Sequence, residues 1–326
     1  MRRRDFIKGI ASSAAACPLA TRAQQPIAVV GLLGGASPAL FAGPLRAFRG
    51  GLAESGAAES RNLTIEERWA EGRNDRLPDL ATDLVRRKVD VIVTVTTPGA
   101  LAAKAATPTI PVVFAIGSDP VKDGIVPSLN RPGGNVTGIT ALTSELGPKR
   151  LELISEIVPQ AASFALLVNR RNPNLANSQT AELQTAAGRL KRELYLLDAG
   201  TEAELDTAFA QLKTTNAQAL IISADGFFTS HSRQLAALAI QHRIPAVYQN
   251  RSFAEAGGLV SYGGSTADAW RLAGVYAGRI LRGEQPADLP VQQATKVELV
   301  LNSKTAKVLG LVVPPSVLAR ADEVIE

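Results

Sequence analysis

The sequence predicts an α/β fold with parallel sheets, arranged as two successive units. Short runs rich in β-branched apolar residues alternate with stretches in which apolar residues recur three and four positions apart, a pattern typical of βα units. Most of the runs are apolar throughout, as strands buried on both faces require. The length of 326 residues corresponds to two domains at roughly 150 residues each.

The predicted elements follow one another regularly from Pro26 onward. Strands are predicted at residues 27–33, 63–69, 89–95, 112–115, 164–168, 219–222, 246–248 and 259–262. Helices are predicted at residues 77–87, 148–157, 174–192, 202–213, 230–242 and 266–281. Turn-forming residues cluster between Arg131 and Pro148, so the division between the two units is expected there.

The N-terminal segment carries most of the excess positive charge. Five of the 35 Lys and Arg residues and one of the 30 Asp and Glu residues lie in residues 1–23, so the other 303 residues have 30 basic and 29 acidic side chains. The isoelectric point of about 9.5 therefore reflects this leader. A nucleic-acid-binding surface needs a larger basic surplus, so the composition argues against nucleic acid as a partner.

The same segment predicts an export signal, here residues 1–23. A basic start is followed by a short apolar stretch from Gly9 to Ala20, which is not long enough to span a bilayer. The residues from Arg3 to Lys8 resemble the twin-arginine export pattern. An ordinary secretory leader is the alternative and has the same destination. We therefore expect a periplasmic protein that begins at Gln24 after cleavage.

The single cysteine, Cys17, lies inside this leader. One sulfur excludes an intramolecular disulfide and a thiolate metal cluster. Ala14 stands where a lipoprotein signal usually has leucine, and Pro18 follows Cys17 at once. We expect cleavage after Ala23 to remove the cysteine, with acylation of Cys17 as the alternative.

Catalytic and cofactor motifs are absent from the sequence. No two glycines are separated by one residue and Gly-Lys never occurs, which excludes a G-x-G-x-x-G loop and a Walker A loop. No G-x-S-x-G elbow is present, and His231 and His242 do not have the i, i+4 spacing of a helical zinc pair. We therefore predict no cofactor, no metal and no enzymatic activity.

Small hydroxyl and carboxylate residues follow three strands of the first series. Ligands of open parallel sheets bind beyond the carboxyl ends of the strands, where helix N-termini present unpaired N–H groups. The candidate binding residues here are Ser37, Thr96, Thr97, Ser118 and Asp119. Each precedes a proline closely and can also be a helix cap that needs no ligand. Their occurrence after three strands favours a pocket for an anionic group.

The second series ends its strands in aromatic, amide and carboxylate side chains. The candidate binding residues are Asn169, Asp225, Tyr248 and Tyr262. A simple turn at Asp225 and core-edge positions for the tyrosines are the alternatives. Together with the first series, these residues predict a pocket for an amino acid, with an apolar wall and an acceptor for its ammonium. Arg170 and Arg171 would suit a more acidic solute.

Five segments of the chain resemble one protein family. They are the leader up to Pro26 and the segments VFAIGSDPV (113–121), LNRPGGNVTG (129–138), EAGGLVSYG (255–263) and SKTAKVLGL (303–311). They are similar to the ABC transporter substrate-binding proteins related to the tryptophan-binding component. The resemblance covers essentially the whole chain. It implies a periplasmic binding protein of type I, with two Rossmann-like lobes joined by a hinge that closes on a ligand.

The resemblance also implies a division of the chain and roles for three residues. The N-terminal lobe would consist of residues 24–140 together with about 264–286. The C-terminal lobe would consist of residues 141–263 together with about 287–326. Thr96 and Thr97 fall where such proteins commonly hold a ligand carboxylate. Asp225 falls where branched-chain amino-acid binders often place the acid that receives the ammonium.

The expected function is solute capture for an ABC importer, with an amino acid or an aromatic or organic carboxylate bound between the lobes. The expected partners are this small-molecule solute and an ABC permease in the membrane, and the chain is expected to be a monomer. A ligand-sensing periplasmic module for a receptor or kinase is the alternative. An exported hydrolase with Asp225 and Asp119 as paired carboxylates is less consistent, because nothing fixes their separation.

Overall fold

The computed structural model describes residues 27–57, 62–141 and 143–326. Within these residues, two sheets with helices on their faces form two lobes, which confirms the predicted α/β fold with Rossmann-like lobes. The predictions about the leader, including the twin-arginine pattern and Cys17, lie outside the described residues. In the described ranges, no helix is both long enough and apolar enough to cross a membrane.

The first lobe begins with alternating strands and helices. Its elements are β1 Ala28–Gly34, α1 Ala42–Glu54, β2 Leu63–Trp69, α2 Leu77–Arg86, β3 Val91–Thr94, α3 Thr97–Ala106, β4 Val112–Ile116 and β5 Val136–Thr140. Two 3₁₀ turns, Pro38–Phe41 and Asn74–Arg76, precede α1 and α2.

The second lobe repeats the alternation after a 3₁₀ turn at Thr143–Leu146. Its elements are α4 Gly147–Ile157, β6 Ser163–Val168, α5 Pro173–Arg189, β7 Glu193–Asp198, α6 Glu202–Thr215, β8 Ala219–Ile222, α7 Gly226–Ser230, α8 Ser232–Gln241, β9 Ala246–Tyr248, α9 Arg251–Glu255 and β10 Val260–Gly264.

The last part of the chain returns to each lobe in turn. Its elements are α10 Thr266–Leu281, a 3₁₀ turn at Pro286–Asp288, β11 Gln292–Gln293, β12 Val297–Asn302, α11 Ser303–Val308, α12 Pro315–Leu318 and β13 Glu323–Ile325. The first sheet has the order β11-β5-β4-β3-β1-β2 and the second β13-β12-β10-β9-β8-β6-β7. All described pairings are parallel except that of β10 with β12.

The chain passes between the lobes three times: after β5, between β10 and α10, and between β11 and β12. β11 pairs with β5, Gln293 lying opposite Thr140. Residues 292–293 therefore belong to the first sheet, whereas the sequence places everything after about residue 287 in the second lobe. A two-residue edge strand has no apolar pattern that distinguishes it from a loop.

Several predicted bounds are confirmed by the structure. β2, β8, β9 and α10 begin and end at the predicted residues. The predicted helix 230–242 is two helices, α7 and α8, with His231 between them. The predicted helix 174–192 ends at Arg189, because Lys191 adopts a left-handed backbone conformation with φ of 54° and the chain then enters β7.

The central strands are buried on both faces. β3, β4 and β8 have no exposed position. In β3, Val91 and Val93 belong to the apolar cluster on one face of the first sheet, whereas Ile92 belongs to the cluster on the other face. Because neighbouring side chains point to opposite faces, helices must cover both sides of each sheet.

Helix α1 is not among the predicted helices, since Pro44, Gly50 and Gly51 break its pattern. Gly51 is nevertheless needed where α1 packs on α10. A Cβ atom added to Gly51 would lie 1.9 Å from the backbone oxygen of Arg271. A Cβ atom on Gly274 of α10 would lie 2.2 Å from the backbone oxygen of Phe48. The two helix backbones therefore touch, and this close contact joins the returning segment to the first lobe.

Arg150 of α4 is fully buried beside two of the crossings. Its Nη1 donates to the backbone oxygens of Thr143, at 3.0 Å, and Tyr262, at 3.3 Å. Burial lowers the pKa of Arg150 to about 10. Thr143 follows the first crossing and Tyr262 precedes the second. The Arg150 side chain therefore links these two crossing segments where they enter and leave the second lobe.

Gly51→Ala is expected to destabilise the protein by about 1–3 kcal/mol, because its methyl group overpacks the contact between α1 and α10. Gly50→Ala is the matched control on the same helix, because a Cβ atom there meets nothing within 4 Å. That change should stabilise by up to about 1 kcal/mol through helix propensity. Urea unfolding of both variants measures the difference, and equal effects would contradict the close helix contact.

Candidate functional site

A cleft of about 660 Å³ lies between the two lobes. It is lined by residues that follow β1, β3 and β4 of the first lobe and β8 and β9 of the second, together with residues of α10. The walls approach one another closely, since a Cβ atom added to Gly226 would lie 3.7 Å from Cγ2 of Thr96. The cleft therefore occupies the position at which open parallel sheets bind ligands.

The first-lobe wall is built on the N-terminus of α3. Thr96 caps this helix, and its hydroxyl accepts from the backbone N–H of Gly99 at 3.2 Å. The hydroxyl oxygens of Thr97 and Ser118 are 2.6 Å apart and both residues line the cleft. A helix N-terminus and hydroxyl groups together suit a negatively charged ligand group.

Ser118 has a second partner behind the wall. Its hydroxyl donates to Oδ2 of Asp123 at 2.5 Å. Asp123 does not line the cleft and is half-buried. Burial raises the pKa of Asp123 and outweighs the opposite effect of the hydrogen bond from Ser118.

The second-lobe wall is centred on Asp225, which caps α7 and is 8% exposed. Its carboxylate accepts from the side-chain amides of Asn169, at 3.0 Å, and Asn172, at 3.2 Å, and from the backbone N–H of Phe227 at 2.8 Å. Burial raises the pKa of Asp225 despite these three donors. A buried carboxylate facing a cleft is suited to a cationic partner.

Gln249 places a second acceptor on the same wall. Its Nε2 donates to the hydroxyl of Thr229 at 3.3 Å, while that hydroxyl donates to the backbone oxygen of Asp225 at 3.0 Å. Oε1 of Gln249 takes no part in these two hydrogen bonds. Oε1 is buried and has no hydrogen-bond partner among the described residues. Gln249 itself is one of the residues that line the cleft.

Aromatic rings form the apolar end of the cleft. Phe41 and Trp270 both line it, and their ring centroids are 5.1 Å apart with planes inclined by 28°. Trp69 packs on the other side of Phe41 at 5.6 Å. On the second lobe, the ring of Phe227 also lines the cleft.

The structure brings together four of the nine predicted binding residues. Thr96, Thr97, Ser118 and Asp225 line the cleft. Asn169 lies behind Asp225 and acts through it. Two others lie outside the cleft. Ser37 precedes a 3₁₀ turn without a side-chain capping hydrogen bond, whereas Asp119 accepts from the backbone N–H of Val121 at 2.8 Å.

The two tyrosines are not at the cleft. Tyr248 is fully buried and stacks on Phe253 with ring centroids 4.7 Å apart, and burial raises the pKa of its hydroxyl. Tyr262 packs against the apolar core of the second lobe. Both lie inside strands, where alternation turns side chains towards the faces of the sheet and away from its end. The predicted tyrosine wall is therefore wrong, and Phe41, Trp270 and Phe227 take its place.

Arg170, Arg171 and the two histidines do not line the cleft. Arg170 is exposed, and Nη2 of Arg171 pairs with Oε1 of Glu204 at 3.0 Å, so neither lines the cleft. His231 Nδ1 lies 2.8 Å from the backbone oxygen of Phe227, and His242 packs against Phe209. Within the described ranges, no group of three His, Cys, Asp or Glu residues is placed to hold a metal ion.

Sequence reasoning missed the aromatic residues of the cleft and the role of Gln249. Phe41 belongs to a 3₁₀ turn and Trp270 to α10, more than two hundred residues away. Trp270 has the spacing of an ordinary core residue in an amphipathic helix, so no local signal distinguishes it. Gln249 directly follows β9, and this position beyond a strand end was the available signal.

Two lobes with parallel sheets and a cleft between their strand ends define the type I class of periplasmic binding proteins. The profile of the family described as ABC transporter substrate binding protein matches residues 26–325. The chain therefore belongs to the ABC transporter substrate-binding proteins. These proteins are extracytoplasmic and bind small-molecule solutes for a membrane permease, and the family is one of binding proteins and not of enzymes.

Individual relatives agree with this assignment. The chain is 27% identical over 266 residues, which is 82% of this chain and 76% of the relative, to a tyrosine-binding protein of Clostridioides difficile strain R20291. It is similar to a conserved domain protein of Vibrio cholerae O1, with 30% identity, coverage of 91% and 99% of the two chains, and a TM-score of 0.84. It is also similar to an ABC domain in complex with L-Trp from Streptococcus pneumonia, with 26% identity, coverage of 91% and 99%, and a TM-score of 0.83.

Asp225→Asn is expected to stabilise the ligand-free protein at neutral pH, because the substitution removes a buried charge and keeps a good helix cap. Burial holds the folded-state pKa of Asp225 above its unfolded value, so its contribution to stability is full at low pH and is lost as pH rises through the folded-state pKa. The gain in the variant is about 1.4 kcal/mol for each unit by which the pKa is raised.

Denaturant unfolding from acidic to neutral pH tests this expectation, and the two proteins should converge in stability as pH falls. Asp206→Asn is the control, since Asp206 is exposed on α6 and its replacement should change nothing. A stability difference between the two proteins that stays the same from acidic to neutral pH would show that the carboxylate is not destabilised by burial.

Proposed function

We propose that this protein captures an amino acid with an aromatic side chain and delivers it to the permease of an ABC importer. The observation that carries the proposal is that a buried carboxylate, Asp225, lines a cleft that ends in aromatic rings. Gln249, whose Oε1 has no hydrogen-bond partner among the described residues, lines the same cleft. The tyrosine-binding relative and the L-Trp complex support the same class of solute.

Each part of an amino acid has a matching region of the cleft. The ammonium lies against Asp225 and Gln249 in the second lobe. The carboxylate lies against Thr97 and Ser118 and the N-terminus of α3 in the first lobe. The side chain lies between these walls and the rings of Phe41 and Trp270. Contacts to both lobes make the ligand favour the closed arrangement, since a ligand shifts a conformational equilibrium through its differential affinity.

Solute binding without chemistry is favoured over hydrolysis. A hydrolase with Asp225 and Asp119 needs both carboxylates at the substrate. Asp119 caps backbone N–H groups and does not line the cleft. Asp225 alone, held by two amides and a backbone N–H, is suited to receive a cation and to return the solute unchanged.

The proposal includes the remaining expectations about the protein in the cell. We place it in the periplasm as a monomer that is exported by the twin-arginine route and cleaved after Ala23. The chain crosses between its two lobes after residue 140 and near residues 264 and 294. The Arg3-Arg4 leader and the extracytoplasmic family support this location. Mass spectrometry of the exported chain should find Gln24 at the N-terminus, and an acylated Cys17 would contradict it.

Titration calorimetry with L-tyrosine and L-tryptophan tests the proposed function. Thr97→Ala and Asp225→Ala should each weaken binding by about 1.5–3 kcal/mol, roughly ten- to a hundred-fold in Kd, because each removes a hydrogen bond to a charged ligand group. Both ligand-free variants should remain folded.

Tyr248→Phe is the matched control, because the hydroxyl it removes is buried away from the cleft and has no hydrogen-bond partner among the described residues. It should bind as tightly as the wild type. Unchanged affinity in both cleft variants would show that the ligand is elsewhere.

A further inference from the structure

The hydroxyls of the first-lobe wall form a chain that ends on a carboxyl group. Thr97 Oγ1 and Ser118 Oγ are 2.6 Å apart, and Ser118 Oγ is 2.5 Å from Asp123 Oδ2. Only Thr97 and Ser118 of these three residues line the cleft. Each hydroxyl has one proton and each contact needs one, so the protonation state of Asp123 decides how the whole chain is oriented.

With Asp123 ionised, its oxygens can only accept. The proton of Ser118 then points to Asp123, and the contact between Ser118 and Thr97 must use the proton of Thr97. Thr97 is left with lone pairs towards the cleft. In this state the wall accepts hydrogen bonds and is poorly matched to a ligand carboxylate.

With Asp123 protonated, the chain reverses. The carboxyl proton is donated to Ser118, Ser118 donates to Thr97, and the proton of Thr97 is free to point into the cleft. In this state the wall donates and matches a carboxylate. Burial raises the pKa of Asp123, so the protonated state is closer in free energy than for an exposed aspartate.

Other charged groups near Asp123 modify this balance. Asp119 and Lys122 of its own loop act on Asp123 directly. Lys122 is 3.2 Å from Glu145 and also interacts with Glu182 of α5. Lys104 of α3 donates to the backbone oxygen of Gly124, the residue after Asp123, at 2.8 Å. Asp225 is on the opposite wall of the cleft. Asp119 favours protonation of Asp123 and Lys122 opposes it. The ammonium of Lys122 is shared with Glu145 and Asp119, which weakens its hold on Asp123.

We propose that Asp123 is a positioning residue that acts through Ser118 and Thr97, so that binding of a ligand carboxylate to the first-lobe wall takes up a proton. The inference rests on the proposed function, because it assumes that the ligand carboxylate lies at Thr97. Asp225 changes the number of bound protons in the opposite direction. A ligand ammonium favours the ionised form of Asp225, so binding there releases a proton.

Calorimetry with L-tyrosine in buffers of different ionisation enthalpy tests the proposal. The dependence of the binding enthalpy on the buffer gives the number of protons taken up, from acidic to neutral pH. Asp123→Asn cannot take up a proton at this position, and its Nδ2 can donate to Ser118. The variant should therefore lose the uptake assigned to Asp123. At pH values above the pKa of Asp123, the wild type must protonate this residue in order to bind the ligand. The variant should then bind more tightly than the wild type, by about tenfold in Kd for each pH unit above that pKa.

Two further variants separate the hydroxyl chain from simple charge effects. Asp119→Asn makes the same charge change in the same loop without breaking the hydroxyl chain. It should keep a proton uptake, shifted to lower pH because Asp119 favours protonation of Asp123. Ser118→Ala keeps the carboxyl group of Asp123 but breaks its connection to Thr97, and should lose the uptake. Asp225 is intact in all of these proteins, so its proton release is common to them.

Full proton uptake by Asp123→Asn or by Ser118→Ala, with L-tyrosine bound, would overturn the role of Asp123 and leave the proposed function in place. Equal losses in Asp119→Asn and Asp123→Asn would also overturn it, because they would indicate a general charge effect. Failure of the wild type to bind both L-tyrosine and L-tryptophan would contradict the proposed function and this inference together.

Discussion

The parallel direction of the strands is the constraint on which the rest of the structure depends. In each lobe, β1, β3 and β4 or β6, β8 and β9 run the same way, so their carboxyl ends meet at one edge of the sheet. Three chain crossings hold these two edges face to face. The residues directly after the strands therefore become the walls of the cleft, and helix N-termini supply unpaired N–H groups there.

This constraint explains why part of the site was predictable from the sequence. Thr96, Thr97, Ser118 and Asp225 lie two or three residues beyond the ends of buried apolar strands. The direction of a parallel strand places such residues at the cleft. The same reasoning failed for Tyr248 because this residue is the last position inside β9 and not the first beyond it. A displacement of one residue changes a position at the cleft into one in the core.

Long-range packing could not be predicted in the same way. Phe41 and Trp270 meet because α1 and α10 touch at Gly51 and Gly274, and glycines in a helix pattern ordinarily indicate a break. The two-residue strand β11 and the close helix contact depend on the tertiary fold alone. Local periodicity predicted eight of the thirteen described strands and six of the twelve described helices, but not β5, β7, β11, β12 and β13. The apolar end of the cleft follows from how distant segments pack.

The ligand-free cleft holds polar groups at a cost in free energy. Asp225 is a buried carboxylate without a cation, and Oε1 of Gln249 is a buried acceptor without a donor among the described residues. Both residues line the cleft on its second-lobe side. A ligand that pairs these groups gains the free energy that their burial costs the protein. A ligand without an ammonium leaves them unpaired and binds more weakly, so the same groups give specificity.

The central claim is that the ligand ammonium contacts Asp225, and a double-mutant cycle on protein and ligand tests it most directly. Titration calorimetry would compare L-tyrosine with its analogue lacking the amino group, 3-(4-hydroxyphenyl)propanoate, in the wild type and in Asp225→Ala. If the contact exists, loss of the amine weakens binding strongly in the wild type and only slightly in the variant, with a coupling free energy of about 1 kcal/mol or more. Equal losses in the two proteins would contradict the account.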